Sequence, residues 1–297
     1  MPSKAFETLV AMQRARRPQR DASVENLRDR FESMVPLLGP PPDGVTIEPG
    51  TIANLRAERF IPSGAHSDSI VMFLHGGGYC IGSLNTHRCF AANLAECAGV
   101  SLVSIEYRLA PEHTFPAAVD DAITAYRGLL RDGYAAHRIV VGGDSAGGGL
   151  ALAAIAALRD ARDPLPAAAF ALSPWTDLAH TGASIDSRAA ADPMIQPWEL
   201  RGFADRYLNG SDPRNSRASP LYGDFHGYPP LLIHVGGAEI LRDDSTRLVQ
   251  RAKDAGVEVT FRLDPDMIHV WHFFSTLIPE GAQALREVGE WVQRKLA

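Results

Sequence analysis

The spacing of hydrophobic positions changes several times along this chain, and each change marks a boundary between elements. Residues 1–38 are polar and charged, with Phe6, Leu9, Met12, Leu27, Phe31 and Met34 as spaced apolar positions, which predicts one or two helices. Gly39-Pro40-Pro41-Pro42-Asp43-Gly44 then breaks the pattern as a linker or turn. A polar–apolar stretch over 51–60 predicts a strand. Short, mainly apolar runs follow at 70–74, 101–105, 139–141, 168–172 and 231–235, with a last strand at 257–261. Helices are expected between them, at 87–98, 116–131, 146–160, 243–255 and 280–295. Apolar strands alternating with helices predict an α/β fold with a mostly parallel central sheet covered by helices on both faces.

One stretch departs from the alternation. Residues 179–218 hold helix-like pieces but no good strand, and Pro193, Pro197 and Pro213 punctuate them before Pro220. Ligands in open α/β sheets bind beyond the carboxyl ends of the strands, and an insertion between strands commonly covers that end. The expected organisation is N-terminal cap helices and linker over 1–45, then a catalytic domain over 46–297 with a cap insertion at about 179–218.

Two glycine-framed motifs carry the chemistry. Gly143-Asp144-Ser145-Ala146-Gly147 follows the apolar run 139–141 and precedes a helix of small residues. That strand–turn–helix setting exposes a serine on a strained turn, with the helix N-terminus facing the reacting oxygen. Gly143 and Gly147 flank it because a side chain there would collide across the turn. His75-Gly76-Gly77-Gly78-Tyr79 follows the run 70–74. The N–H groups of Gly76 and Gly77, with that of Ala146, are the expected oxyanion donors. No P-loop or dinucleotide fingerprint surrounds the glycines, which disfavours a nucleotide phosphate. His75 reads as a structural anchor for its loop.

Ser145 needs a base. Of the 10 histidines, His269 follows the last expected strand, with His272 as its rival, while His234 lies inside an apolar strand and reads as a core residue. The acid that orients the base comes from Glu239, Asp243 or Asp244, just beyond the strand 231–235. Spacing favours Glu239, since Asp243 and Asp244 fall where a helix begins and suit capping. The order serine, acid, histidine is that of α/β-hydrolases. Tyr79, Asp144, Trp198 and Phe203 are candidate substrate contacts.

Composition narrows the partners. The net charge of −6, with 45% hydrophobic and 22% charged residues, is ordinary for a globular enzyme and disfavours nucleic acid or an anionic membrane surface. The run Arg14 to Arg20 reads as a solvated helix face. The three cysteines, Cys80, Cys89 and Cys97, fit no zinc spacing and suit a reduced, cytoplasmic setting. The first twenty residues lack an apolar leader core, and no run is long enough to span a membrane. The apolar positions of the last helix, Leu285, Val288, Trp291, Val292 and Leu296, leave open whether they pack inward or also meet a second copy in a homodimer.

The chain resembles the hormone-sensitive-lipase-like esterases of the α/β-hydrolase superfamily over residues 70–272. The resemblance rests on His75-Gly76-Gly77-Gly78-Tyr79, Tyr107-Arg108-Leu109-Ala110-Pro111-Glu112-His113 with Phe115-Pro116-Ala117-Ala118, Gly143-Asp144-Ser145-Ala146-Gly147-Gly148, Ser173-Pro174-Trp175 and Ile268-His269. It implies hydrolysis of short acyl esters through a covalent acyl-enzyme, with no metal or cofactor and a helical cap built partly from the N-terminus. It implies Ser145 as nucleophile, His269 as base, and Gly76, Gly77 and Ala146 as oxyanion donors. The family's acid is usually an aspartate opening an Asp-Pro-Leu-x-Asp segment. Glu239-Ile240-Leu241-Arg242-Asp243 matches it here, which puts Glu239 in the acid's place and leaves Asp243 as the fallback. A non-catalytic small-molecule receptor on the same fold and an amidase are the competing readings.

Overall fold

The computed structural model describes residues 2–17, 20 and 22–297. Its elements run α1 (Lys4–Ala15), α2 (Val24–Glu32), β1 (Val45–Ile52), β2 (Leu55–Pro62), β3 (His66–Leu74), α3 (Leu84–Ala98), β4 (Val100–Ile105), α4 (Ala117–Arg131) and β5 (Ile139–Asp144). They continue with α5 (Ala146–Asp160), β6 (Ala168–Leu172), α6 (Ser184–Ser187), α7 (Pro197–Leu208), β7 (Leu231–Gly236), α8 (Arg242–Asp254), β8 (Val259–Asp264) and α9 (Pro279–Leu296). The eight strands form one sheet in the order β1-β2-β4-β3-β5-β6-β7-β8. From β4 to β8 every pairing is parallel, while β2 pairs antiparallel with both β1 and β4, so β2 alone runs against the other strands.

The apolar runs are buried on both faces, and their alternation shows which helices cover each. In β3, Ile70, Met72 and Leu74 pack with α4 and α5, while Val71 and Phe73 pack with α3 and α9. In β7, Leu231 and Ile233 meet α5 and α8, and Leu232 faces the α9 side. Each fully buried aliphatic side chain contributes about 1.5–3 kcal/mol, so five such residues in a row make β3 a strong organising strand. The apolar stripe of α9 is spent inside the chain: Leu285, Val288, Trp291, Val292 and Leu296 are all buried.

Two expectations need correction. The stretch 51–60 is not one strand. It turns at Ala53-Asn54, both at positive φ (48° and 70°), so β1 is an additional strand paired back onto β2. Alanine is no turn signal, and its place in the polar–apolar pattern conceals the hairpin. The arginines of the N-terminal segment are not simply a solvated face. Arg14 donates to the Ala191 carbonyl at 3.2 Å, and Arg17 donates to the carbonyls of Asp192 and Pro193. Both thereby tie the N-terminal helices to the 179–218 insertion; Pro18 and Gln19 of the same run lie outside the described residues. Arg28 ties α2 to the body, donating to the carbonyls of Cys80 (2.9 Å) and Ala110 (3.1 Å) and to both Glu112 oxygens (2.8 Å).

Candidate active site

The polar groups of the site sit beyond the carboxyl ends of adjacent parallel strands: the glycine loop after β3, Ser145 after β5, Ser173 after β6, Glu239 after β7 and His269 after β8. Ser145 is the single residue between β5 and α5. Its backbone (φ 52°, ψ −122°) is one that a non-glycine residue holds at a cost of about 1–3 kcal/mol. Hydrogen bonds hold it there. The Ser145 N–H donates to the Leu172 carbonyl at 2.8 Å, and its own carbonyl accepts from Trp175 at 2.9 Å and Gly149 at 3.1 Å. A Cβ on Gly143 or Gly147 would lie 2.4 or 2.0 Å from the Leu74 carbonyl oxygen, so only glycine fits at either position.

The register Leu74↔Gly143 brings the glycine loop beside this turn. Here one expected donor is lost. The Gly76 N–H donates to Asp144 Oδ1 at 2.8 Å, so it is already engaged. The N–H groups of Gly77 and Gly78 have no acceptor among the described residues, and both glycines line the cavity in front of Ser145. Ala146 opens α5, so its N–H has no partner within the helix. Asp144, a candidate substrate contact, reaches the cavity wall but spends its carboxylate clamping the glycine loop to the nucleophile turn. His75 is buried as an anchor: Nδ1 donates to the Gly76 carbonyl at 2.8 Å, and its own carbonyl accepts from Tyr107 Oη at 2.6 Å.

The expected base and acid meet directly. Glu239 Oε2 accepts from His269 Nδ1 at 2.6 Å, in a buried pair. Since the carboxylate can only accept, Nδ1 carries the proton, and Nε2 of the neutral ring is left with a lone pair. Burial pushes the His269 pKa down, but the charge of Glu239 and its hydrogen bond outweigh this and hold it above the usual 6.5. Asp243 is engaged elsewhere, accepting from the Ser184 N–H at 2.9 Å. His272 lies behind the site, fully buried against His234 at 3.0 Å.

Two residues at the site carry no sequence-level signal of their role. Ser173 Oγ donates to Glu239 Oε1 at 2.8 Å and accepts from the Val270 N–H at 3.0 Å, joining the acid to the loop that bears His269. Its place at the end of β6, within Ser173-Pro174-Trp175, is the one available hint. Asp192 is buried in the insertion, and its charge helps raise His269.

Ser145 and His269 open into one cavity of about 170 Å³. The 179–218 insertion supplies Met194, Leu200 and Phe203 to its wall, and the N-terminal helices supply Leu27 and Phe31. Phe203, a candidate substrate contact, is thus in the cavity wall. Tyr79 is not: it is buried behind the wall, stacked on Tyr207 at 3.9 Å. Trp198 also does not line the cavity, because α7 turns Glu199, Leu200 and Phe203 toward it instead. Among the described residues, no group of three or more His, Cys, Asp or Glu is placed to hold a metal ion, and no helix is long and apolar enough to cross a membrane.

A family model described as the alpha/beta hydrolase fold matches residues 71–273, which include the glycine loop, Ser145, Glu239 and His269. An acetyl-hydrolase of Streptomyces hygroscopicus is 44% identical over 277 residues, spanning 92% of this chain and 91% of that protein. A crystal structure of an esterase from the bacterial hormone-sensitive lipase family superposes with a TM-score of 0.96 at 41% identity, covering 100% of both chains. The chain belongs to the hormone-sensitive-lipase-like esterases. An esterase of Acinetobacter venetianus is also similar, 35% identical over 248 residues that cover 83% of this chain and 82% of that one. As a member of this family the protein is an enzyme, a carboxylesterase on an α/β-hydrolase fold, and the receptor reading falls.

Proposed function

We propose that the protein cleaves short-chain acyl esters through a Ser145–His269–Glu239 triad. The observation that carries this is the buried Glu239–His269 pair at 2.6 Å, which leaves His269 Nε2 as a base in the cavity that also holds Ser145. In the first half of the cycle, His269 Nε2 takes the Ser145 hydroxyl proton as Oγ bonds to the ester carbonyl carbon. The carbonyl oxygen becomes an oxyanion that accepts from the N–H groups of Gly77, Gly78 and Ala146. The C–O bond to the alcohol then breaks, and the alcohol leaves with the proton from His269. In the second half, water attacks the acyl-enzyme, His269 takes the water's proton, and the proton returns to Ser145 as the acid departs. Glu239 stays ionised and holds the imidazole in one tautomer throughout.

A short acyl group is supported by the cavity volume of about 170 Å³. Engineered apolar cavities of about 150 Å³ hold one benzene ring. The test is the initial rate on p-nitrophenyl esters from acetate to laurate, with Ser145→Ala as control. Rates peaking at short chains and vanishing in the variant are expected. Hydrolysis by Ser145→Ala at the wild-type rate would overturn the triad, and a peak at long chains would overturn the short-chain preference.

A further inference from the structure

The cavity has an apolar flank, but three polar side chains from both cap segments also line it: Gln13 of α1, Arg30 of α2 and Glu199 of α7. Gln13 Nε2 and the half-buried Arg30 guanidinium have no partner among the described residues, whereas Glu199 is held by one backbone N–H. Gln13 is only 4% exposed, and its Nε2 donates to nothing among the described residues. Arg30 makes no ion pair among the described residues, and the Glu199 charge acts on it only from beyond ion-pair distance. Glu199 Oε2 accepts from the Gln196 N–H at 2.9 Å, and burial pushes its carboxyl up to about 7. Near neutral pH it therefore cancels only part of the Arg30 charge.

The surroundings add positive charge. Arg16 sits close enough to Arg30 to disfavour its protonation, and its buried Nε also lacks an acceptor. Arg17 is spent on two neutral carbonyls. Asp192, a carboxyl of the 179–218 insertion, is buried with a raised pKa and already accepts three backbone N–H groups, those of Met194, Ile195 and Ile240. This wall therefore presents spare donors and spare positive charge over a catalytic floor. A purely aliphatic substrate would leave both uncompensated, at a cost for each unpaired group. A carboxylate would satisfy both, and guanidinium–carboxylate hydrogen bonds are among the strong ones.

We propose that Arg30 and Gln13 form a carboxylate-binding subsite, so that the preferred substrates are short esters carrying a free carboxylate on the acid or the alcohol part. The proposal rests on the esterase reading above and specifies the substrate class of that same site. The side of the ester that carries the charge follows from which of two matched substrate pairs responds.

The experiment compares kcat/KM within two pairs. The acyl-side pair is mono-p-nitrophenyl glutarate against p-nitrophenyl pentanoate. The alcohol-side pair is γ-acetoxybutyrate against butyl acetate, followed by acid release. Rates with Ser145→Ala are subtracted as the spontaneous background. The charged member is expected to be favoured in at least one pair. That ratio is expected to fall at least about tenfold in Arg30→Met, less in Gln13→Leu, and to return in part in Arg30→Lys. Absence of a charged preference in both pairs overturns the proposal, and so does a ratio unchanged in Arg30→Met. If Arg30→Met does not fold, the ratios in Gln13→Leu and Arg30→Lys decide in the same sense. Hydrolysis of the neutral esters alone sinks only this subsite, whereas hydrolysis of no ester sinks the esterase reading itself.

Discussion

Glu239 divides its work between its two oxygens: Oε2 takes His269 Nδ1–H, and Oε1 takes Ser173 Oγ–H at 2.8 Å and the Gly236 N–H at 2.5 Å. Three donors on one buried carboxylate hold the imidazole by geometry as well as by charge. Glu239→Gln keeps the shape but offers a wrong-tautomer partner, and kcat is expected to fall by about 10³–10⁴. Asp243→Asn, which touches α6 rather than His269, is expected to stay within a few-fold of wild type. Equal losses in the two variants would transfer the acid's role or dissolve the distinction. The pH profile adds a second readout. In the proposed cycle catalysis needs the neutral imidazole, and Glu239 raises the His269 pKa from its usual 6.5, so the acidic limb of kcat/KM is expected above that value. In Glu239→Gln the limb is expected to move to lower pH, because the largest charge opposing burial is then gone. A limb that stays in place would mean that another group controls it.

At the scale of elements, α8 meets the loop after β6 through the buried carboxyl of Asp244 and through the Arg247–Asp177 ion pair at 3.0 Å. Asp244 Oδ2 accepts from the N–H groups of Thr176 (2.8 Å) and Asp177 (2.9 Å). Burial pushes its pKa up to about 8, with the Asp177 charge adding to the rise and the two backbone hydrogen bonds opposing it. The folded pKa lies above the unfolded carboxylate value. The stabilisation is therefore complete below that unfolded value and is lost as pH rises toward about 8. Asp244→Asn keeps an acceptor and cannot ionise. Its stability relative to wild type is expected to improve steadily from pH 4 to pH 8 in urea titrations. Asp244→Ala strands both N–H groups and is expected to cost about 2 kcal/mol or more throughout. An Asn variant whose relative stability falls as pH rises would contradict the assignment.

For the molecule as a whole, three buried imidazoles each lower its stability in acid. Burial lowers His75 and His234 to about 3, the first helped by His87 and the second by Arg262. It also lowers His272 well below 6.5, with His234 adding to the effect. A base with a depressed folded pKa contributes stability that is complete above its unfolded value and lost as pH falls toward the folded one. The window therefore runs from about 6.5 down to about 3. Each such group costs about 1.4 kcal/mol per pH unit inside the window. Asp244, Glu199, Asp192 and His269, whose folded pKa values are raised, act in the opposite direction. The imidazole contribution is therefore read by difference: the stability of His234→Gln relative to wild type is expected to improve as pH falls from 7 to 5 in urea titrations, and a constant difference would refute this account.

Much of this molecule is local information. Continuous apolar runs such as 70–74 and 139–141 declare buried parallel strands, because only a strand covered on both faces has no polar side to show. The turn at Ser145 is equally legible, since its flanking glycines leave no room for a Cβ. The hairpin at Ala53-Asn54 is not, because its turn uses a residue with no turn preference. Nor is the engagement of Gly76 with Asp144, 68 positions apart in the chain, which leaves Gly77 and Gly78 to supply the glycine loop's donors in the proposed cycle. The same holds for Ser173 bridging Glu239 to Val270, for Tyr79 turning behind the cavity wall, and for Gln13, Arg30 and Glu199 converging from three helices. The sequence alone determines strand, turn and helix where residues close in the chain settle the backbone. Tertiary structure alone decides which donors are already spent and which face the substrate, because hydrogen bonding and burial depend on partners far away in sequence.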